Sequence, residues 1–313
     1  MESDRYNKRQ KGCCSKRDED RISNLQDEIL LHIFSFLSMN DVVRSSVLSR
    51  RWEHLWTNVQ TLCFYGPTSF DRNALEKFVS FVNRTLFLLV SNNIHSFKLE
   101  GCVFNSKYKS EEAAKRTEEF CLLVDKWIQL LVQKKVRCLQ LRFSFSGGYR
   151  YKVPCDLLIN NTINDLYLGR CSIDAVRPIQ WKCLKKLKLK RVELNDDLMQ
   201  NILNGSPLLK DLHLALCHSI NSLSITSSKL KKLRLYLGDD YSVLKLSAPY
   251  VQILSCGGDI TKYHLVDVSS VVYFHGYSHS RRTIDDSYQP VVERILEKVR
   301  YAKECSISFQ CIQ

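Results

Sequence analysis

The spacing of apolar residues predicts a short helical unit followed by a long repetitive one. The first helix is expected over about 25–37, where seven of the nine residues 29–37 are apolar. A surface helix usually has a single apolar stripe, so this helix has more apolar surface than one neighbour can cover. A second short helix is expected after Asn40-Asp41 and a third after Ser49, because these residues are good N-caps.

Three helices in some 40 residues bury too little surface to be stable alone. Part of their apolar surface can pack between the helices, and part can pack against the rest of the chain. What remains would form an exposed patch of the kind that marks a protein partner. The alternative is a plain helical subdomain that is fully packed against its neighbour.

A pair of apolar residues separated by one residue recurs along the rest of the chain. Successive pairs from Leu139 start 27, 21, 25, 21 and 21 residues apart, within the 20–29 residues of leucine-rich repeats. The 42 residues between Phe97 and Leu139 hold an insertion and a helix over 111–132. Helices are also expected over 71–90, 196–203 and 290–302, and a last strand over 305–310. The pairs are Phe97/Leu99, Leu139/Leu141, Leu166/Leu168, Leu187/Leu189, Leu212/Leu214, Leu233/Leu235 and Leu254/Cys256.

Stacked repeats bury one continuous core behind a parallel sheet. Strand side chains alternate between the two faces, so each pair points inward and the residue between its members lies on the predicted concave face. This column carries three fixed positive charges and no carboxylate, which predicts an acidic or phosphorylated partner at Lys188, His213 and Arg234. A merely solvated strand face is the alternative. The column consists of Lys98, Gln140, Tyr167, Lys188, His213, Arg234 and Ser255, and all but Ser255 are candidate substrate-binding residues.

Composition and charge narrow the function classes. The chain has 13 cysteines, an odd number without a Cys-x-x-Cys pair, which predicts free thiols and no zinc site. Cys102, Cys171 and Cys217 follow repeat strands and are expected to turn inward. No nucleotide-binding, hydrolase or metalloprotease motif occurs, so we expect no catalytic residues, no metal, no cofactor and no enzymatic activity.

The chain lacks an apolar run of 18 residues and an apolar N-terminal signal core, so no membrane contact is expected and the location is expected to be cytoplasmic, nuclear or both. Residues 1–19 are polar and of mixed charge, which predicts a disordered tail. The net charge of +13 leaves a nucleic-acid-binding protein open as an alternative. No basic and aromatic signature of a DNA- or RNA-reading module supports that alternative.

The stretch 20–64 also resembles a known module. Its residues Asp20-Arg21-Ile22-Ser23, Asp27-Glu28-Ile29-Leu30, Leu48-Ser49-Arg50-Arg51-Trp52 and Leu55-Trp56 resemble the F-box of plant F-box proteins with leucine-rich repeats. Gln26 departs from the pattern, because the family has proline there. Ser23 and Gln26 could instead form a capping box, which would start the helix slightly earlier.

The resemblance implies a substrate-recognition subunit of an SCF-type cullin–RING ubiquitin ligase. The F-box would dock a Skp-family adaptor, and the repeats would hold an unidentified target protein. A repeat scaffold with a non-functional F-box is a further alternative, motivated by Gln26. The candidate adaptor-binding residues are Leu25, Ile29, Leu30, Ile33, Leu37, Val42, Leu48 and Trp52.

The expected fold is thus α/β, a leucine-rich-repeat solenoid preceded by a short three-helix F-box. The expected domains are a polar tail at 1–19, the F-box at 20–64 and the solenoid at 65–313. Many members of the family continue into a further C-terminal module, which we expect to be absent or truncated here.

Overall fold

The computed structural model covers most of the helical unit and the repeats. The polar tail predicted over 1–19 lies outside the described residues, as do Ser23, Gln310 and the side chain of Cys102. The described residues are 21–22, 24–67, 71–91, 93–104, 111–145, 149–174, 177–238, 241, 243–278 and 288–309.

Three short helices begin the described chain, and the first is shorter than the range of 25–37 that the sequence predicted. They are α1 (Asp27–Phe34), α2 (Met39–Ser45) and α3 (Trp52–Leu55). Single turns of 3-10 helix follow α2 and α3, at Ser46–Leu48 and Trp56–Asn58.

The N-caps explain the shifted helix starts. The side chain of Ser38 accepts the N–H of Asp41 at 3.2 Å, so α2 begins at Met39, and the predicted start after Asn40-Asp41 is wrong. At the start of α1, Gln26 has a ψ of 153°, and no side chain of the described residues caps this end. The helix therefore begins at Asp27 and not earlier. The φ of Gln26 is −66°, the value that proline imposes.

Fifteen strands are described, and every pairing between them is parallel. Ten of them form one sheet in the order β1-β2-β3-β5-β7-β8-β10-β12-β14-β15. The strands are β1 (Thr61–Tyr65), β2 (Ser96–Phe104), β3 (Cys138–Phe145), β4 (Tyr151–Lys152), β5 (Asp165–Gly169), β6 (Cys171–Ser172), β7 (Lys186–Lys190), β8 (Asp211–Ala215), β9 (Ser222–Ser224), β10 (Lys232–Tyr236), β11 (Leu244–Ser247), β12 (Ile253–Gly257), β13 (Tyr263–Asp267), β14 (Tyr273–Ser278) and β15 (Glu304–Phe309).

The connections between sheet strands change character along the chain. Most of the early connections and the last one contain helices, whereas β8, β10, β12 and β14 are joined through β9, β11 and β13, which pair into a second sheet. The connections there are too short for a full helix, as the sequence predicted. The helices are α4 (Arg72–Leu88), α5 (Glu111–Gln133), α6 (Cys155–Leu158), α7 (Asp196–Gly205) and α8 (Tyr288–Lys298).

The inward pairs of the repeats form the core, as predicted. Every apolar member of the seven pairs is buried, and the residues between the pair members are less buried. Cys171 and Cys217 are also buried, and the Sγ of Cys217 lies 3.5 Å from the carbonyl oxygen of Leu189. The parallel sheet and the repeat register confirm the predicted solenoid.

Two strands extend the sheet beyond the predicted repeats. β1 includes Leu62 and Phe64, which the sequence assigned to the end of the F-box, and both side chains are buried. β14 presents Phe274 and Gly276 where other strands present two apolar residues. Because glycine hides the pattern, sequence analysis missed this strand.

Candidate interaction surfaces

An exposed apolar surface lies on the helical unit. On α1, Leu30 and Phe34 are four residues apart and point into the core, so Ile29 and Ile33 occupy the adjacent, exposed helix face. Phe36, Val47 and Leu48 are 76%, 86% and 71% exposed. We call this set the apolar F-box face; it consists of Ile22, Ile29, Ile33, Phe36, Leu37, Val47 and Leu48.

The structure divides the eight residues predicted to bind an adaptor into two groups. Ile29, Ile33, Leu37 and Leu48 belong to the apolar F-box face, whereas Leu25 is half-buried. The remaining three, Leu30, Val42 and Trp52, are buried, so they support the surface from beneath and are not available as direct contacts.

One aromatic contact and one ion pair hold the helices in this arrangement. The rings of Phe34 and Trp52 meet edge to face with centroids 5.8 Å apart. The Nε of Arg51 donates to an oxygen of Asp27 at 2.9 Å, which joins the start of α3 to the start of α1. Sequence analysis missed Ile22, Phe36 and Val47 as candidates, although their apolar type within a crowded apolar stretch was a usable signal.

The second surface is the face of the ten-stranded sheet opposite the core. The register places the predicted column in one continuous row across the sheet and extends it at both ends. We call this row the central column; it consists of Cys63, Lys98, Gln140, Tyr167, Lys188, His213, Arg234, Ser255, His275 and Ser306.

The central column is less cationic than its sequence indicates. Arg234 donates from one nitrogen to both carboxylate oxygens of Asp211, at 2.8 and 2.7 Å. Partial burial, and then the charges of Lys188 and Arg234, lower the pKa of His213 to about 4, so this imidazole is neutral at pH 7. Of the three residues predicted to face an acidic partner, Lys188 alone has a charge that no described carboxylate pairs with. Its Nζ lies 4.7 Å from the centre of the Tyr167 ring.

A second row runs beside the central column, two residues further along each strand. From Arg142 onward it alternates large and small residues across the sheet. We call it the edge column; it consists of Tyr65, Glu100, Arg142, Gly169, Lys190, Ala215, Tyr236, Gly257, Tyr277 and Ser308.

The edge column opens into a pocket of about 190 Å³ near its N-terminal half. Four of the lining side chains are cationic and one is a carboxylate. We call this site the basic pocket; its lining residues are Glu100, Gly101, Arg142, Phe143, Ser144, Tyr167, Gly169, Arg170, Lys190 and Arg191. The pocket was not predicted from the sequence, although continuing the alternation by two more residues along each strand would have placed Arg142 and Lys190 on either side of Gly169.

The charges of the basic pocket act on one another. Partial burial opposes the shift, but Lys98 and Arg142 together lower the pKa of Glu100 below its usual value. Partial burial, and then the charge of Arg191, lower the pKa of Arg170. The pocket thus concentrates positive charge around one carboxylate that is already ionised and paired.

The C-terminal half of the edge column carries a pair of aromatic side chains. Tyr236 and Tyr277, on strands either side of β12, have ring centroids 5.8 Å apart. Gly257 lies between them, and a Cβ there would come within 2.5 Å of the Tyr277 ring. Glycine at this position therefore lets the two rings close over the strand and form an aromatic surface.

Comparison with known proteins agrees with the fold. Residues 22–64 match the F-box domain, and residues 105–296 match the family described as At1g61320/AtMIF1, LRR domain. F-box/LRR-repeat protein 25 of Arabidopsis thaliana is 30% identical over 245 residues, which are 76% of this chain and 86% of that protein. The chain belongs to the F-box/LRR-repeat family.

Other F-box/LRR-repeat relatives extend the similarity over nearly the whole chain. F-box protein At5g03100 of Arabidopsis thaliana is 27% identical over 299 residues, or 92% of this chain and 88% of that protein. F-box/LRR-repeat protein At3g03360 from the same plant is 27% identical over 304 residues, which are 93% of this chain but 60% of that protein. The chain therefore spans about three fifths of the length of that relative.

No helix within the described ranges is both long and apolar enough to cross a membrane. Among the same residues, His, Cys, Asp and Glu side chains do not gather in threes at a place that could hold a metal ion.

Proposed function

We propose that this chain is the substrate-recognition subunit of an SCF-type ubiquitin ligase. Its F-box docks a Skp-family adaptor, through which it joins a cullin–RING ligase, and its repeats hold a target protein. The receptor itself carries out no bond chemistry. The observation that carries the proposal is the apolar F-box face, which is exposed in the segment that matches the F-box domain.

The exposed side chains on this face fit the requirements of a protein interface. Soluble proteins rarely leave a contiguous group of large apolar side chains in water unless a partner covers it. Buried aliphatic anchors at the centre of an interface typically cost about 2 kcal/mol or more when truncated. Ile33 and Leu37 lie on this face, one turn apart in sequence, and neither is part of the core.

A double substitution tests the proposal. Ile33→Ala with Leu37→Ala should weaken binding of a Skp-family adaptor well over tenfold, because about 1.4 kcal/mol corresponds to one factor of ten. The measurement is isothermal titration of the full chain with the purified adaptor. Circular dichroism and the melting temperature should stay close to those of the parent chain, since both side chains are exposed.

A matched control removes two exposed apolar side chains elsewhere. Leu122 on α5 and Leu296 on α8 are 62% and 41% exposed, and their replacement by alanine should leave adaptor binding unchanged. Equal loss of binding in both double variants, or undiminished binding after the change at Ile33 and Leu37, would remove the F-box face from the proposal.

A further inference from the structure

The basic pocket holds more positive charge than the described part of the chain neutralises. Glu100 is its one carboxylate, and it is already paired with Lys98 at 2.8 Å and with Arg142. Lys190 and Arg191 make no ion pair with any described residue. The four cationic lining residues are Arg142, Arg170, Lys190 and Arg191, so three positive charges remain after Glu100 is subtracted.

Two of these arginines occupy a backbone conformation that suits glycine. Arg170 and Arg191 directly follow β5 and β7 with φ of 56° and 55°. The backbone N–H of Arg170 donates to the carbonyl oxygen of Lys190, the last residue of β7, at 2.9 Å. The N–H of Arg191 donates in the same way to Ala215, the last residue of β8, also at 2.9 Å. The turn that links neighbouring repeats therefore imposes the left-handed conformation, which glycine adopts with less strain than arginine.

The equivalent position in other repeats shows that this turn does not require arginine. Leu216 follows β8 with a φ of 53°, and Gly258 follows β12 with a φ of 89°. Leu216 makes the same type of hydrogen bond, to Tyr236 at 2.8 Å. Among the described left-handed turn residues, arginine occurs at the two positions that line the basic pocket, which indicates that its charge has a use there.

The volume of the basic pocket and the charge of its lining residues limit the class of ligand that it can bind. Sites for drug-sized molecules usually measure about 300–1,000 Å³, so a pocket of about 190 Å³ suits one polar head group. Arginine pairs bidentately with carboxylate and phosphate groups. A phosphate monoester carries about −1.5 to −2 charge at pH 7, which complements an excess of three positive charges better than a carboxylate does.

We propose that the basic pocket binds a phosphate monoester on a side chain of the target protein, as part of the proposed substrate-receptor function. A protein segment fits the residues around the pocket better than a nucleic acid does. A nucleic acid needs a positively charged groove on the protein that follows the phosphate backbone. Beyond the pocket, the edge column has no further cationic residue. Arg234 is paired with Asp211, and the neighbouring edge-column position is the apolar Ala215.

The first experiment titrates the full chain with O-phosphoserine, inorganic phosphate and serine. Both phosphate compounds should bind and serine should not. Replacing Arg170 and Arg191 together by glycine should weaken binding of O-phosphoserine at least tenfold. Because glycine suits the left-handed turn, the melting temperature should stay the same or rise, so loss of binding cannot be assigned to unfolding.

Two further variants sharpen this experiment. Leu216→Gly changes the equivalent turn of the next repeat outside the pocket, and it should leave O-phosphoserine binding unchanged. Glu100→Gln removes the pocket's one negative charge, and it should tighten binding severalfold. Unchanged binding in the double glycine variant, or weaker binding in Glu100→Gln with the melting temperature unchanged, would overturn the assignment.

The second experiment separates a phosphorylated segment from free phosphate and from nucleic acid. A degenerate phosphoserine peptide library should be retained by the full chain, its dephosphorylated copy should not, and the double glycine variant should retain neither. Retention of free phosphate alone, or tighter binding of single-stranded oligothymidylate than of the phosphopeptides, would overturn the inference.

Adaptor binding is measured on the same variants to keep the two proposals distinguishable. The double glycine variant should bind a Skp-family adaptor as the parent chain does, because the basic pocket is not part of the apolar F-box face. Failure of phosphopeptide binding with intact adaptor binding overturns the basic-pocket assignment alone. Failure of adaptor binding in the parent chain overturns the substrate-receptor function instead.

Discussion

At the scale of single residues, neutralisation and burial decide which side chains of the central column carry an uncompensated charge. Lys188, His213 and Arg234 lie in one row across three neighbouring strands. Whether each residue attracts an anion depends on neighbours from other strands. Asp211 compensates Arg234, and partial burial keeps His213 neutral, so neither effect could be deduced from spacing along one chain.

The depressed pKa of His213 predicts a defined response of stability to acid. An unfolded histidine gains its proton near pH 6.5, whereas His213 in the folded chain does so only near pH 4. Between these values the unfolded state binds more protons, so this residue makes the fold less stable as the pH falls from 6.5 to 4. His213→Gln should therefore lose less stability than the parent chain over this interval, while the two show similar pH dependence above pH 7.

Urea unfolding at a series of pH values measures this difference. The comparison with the parent chain removes the contribution of carboxylates that titrate over the same interval. Parallel stability curves for the two chains from pH 7 to pH 4 would show that His213 titrates as an ordinary exposed histidine, and would return it to the candidates for anion binding.

At the scale of helices and strands, the existence and order of most elements were predictable from the sequence. The ends of the helices were harder to predict, because neighbouring residues are often equally good N-caps. Ser38 and Asn40 are both good N-cap types, and it is the side chain of Ser38 that accepts the N–H of Asp41 and caps α2. The helices at 71–90 and 111–132 were placed within two residues of their observed ends, because long amphipathic patterns leave few alternatives. β14 was missed because Gly276 replaces the second apolar residue of the pair.

The turn after β12 predicts a large effect from a small substitution. Gly258 has a φ of 89°, and a Cβ there would lie 2.0 Å from the carbonyl oxygen of Leu237. That oxygen belongs to the backbone of the neighbouring repeat and cannot move aside cheaply. Gly258→Ala should therefore lower the free energy of unfolding by about 2 kcal/mol or more, through strain and displacement of the turn.

Urea denaturation measures this loss, and Leu216→Ala supplies the comparison. Leu216 already has a side chain at an equivalent left-handed position, so its truncation keeps the turn and changes only local packing. A Gly258→Ala variant that is as stable as the parent chain would mean that this turn tolerates a shift, contrary to the close approach in the structure.

At the scale of the whole molecule, one continuous core joins the helical unit to the repeats. Buried residues run without a break from Leu30 on α1 through Leu62 on β1 into the sheet. The N–H of Val90, just past α4, also donates to the carbonyl oxygen of Thr57 in the helical unit at 3.0 Å. The sequence predicted two adjoining units, but not that a strand assigned to the first would begin the sheet of the second.

This shared core has a consequence for the proposed receptor. The apolar F-box face and the basic pocket lie on elements that are packed into one cluster of buried residues, so the structure holds the two surfaces in a defined relation. A target bound at the edge column would thus be held in a fixed place relative to the adaptor. Such a fixed arrangement is what a substrate receptor requires in order to present a target for ubiquitin transfer.

The proposed receptor function depends on binding of a Skp-family adaptor by the apolar F-box face. Size-exclusion chromatography with light scattering, on the purified full chain mixed with purified adaptor, tests it most directly. We expect a single species with the mass of one chain plus one adaptor, formed by the parent chain and by the Leu122→Ala, Leu296→Ala control. Separate elution of the two proteins, under conditions where the same adaptor binds another F-box protein, would contradict it.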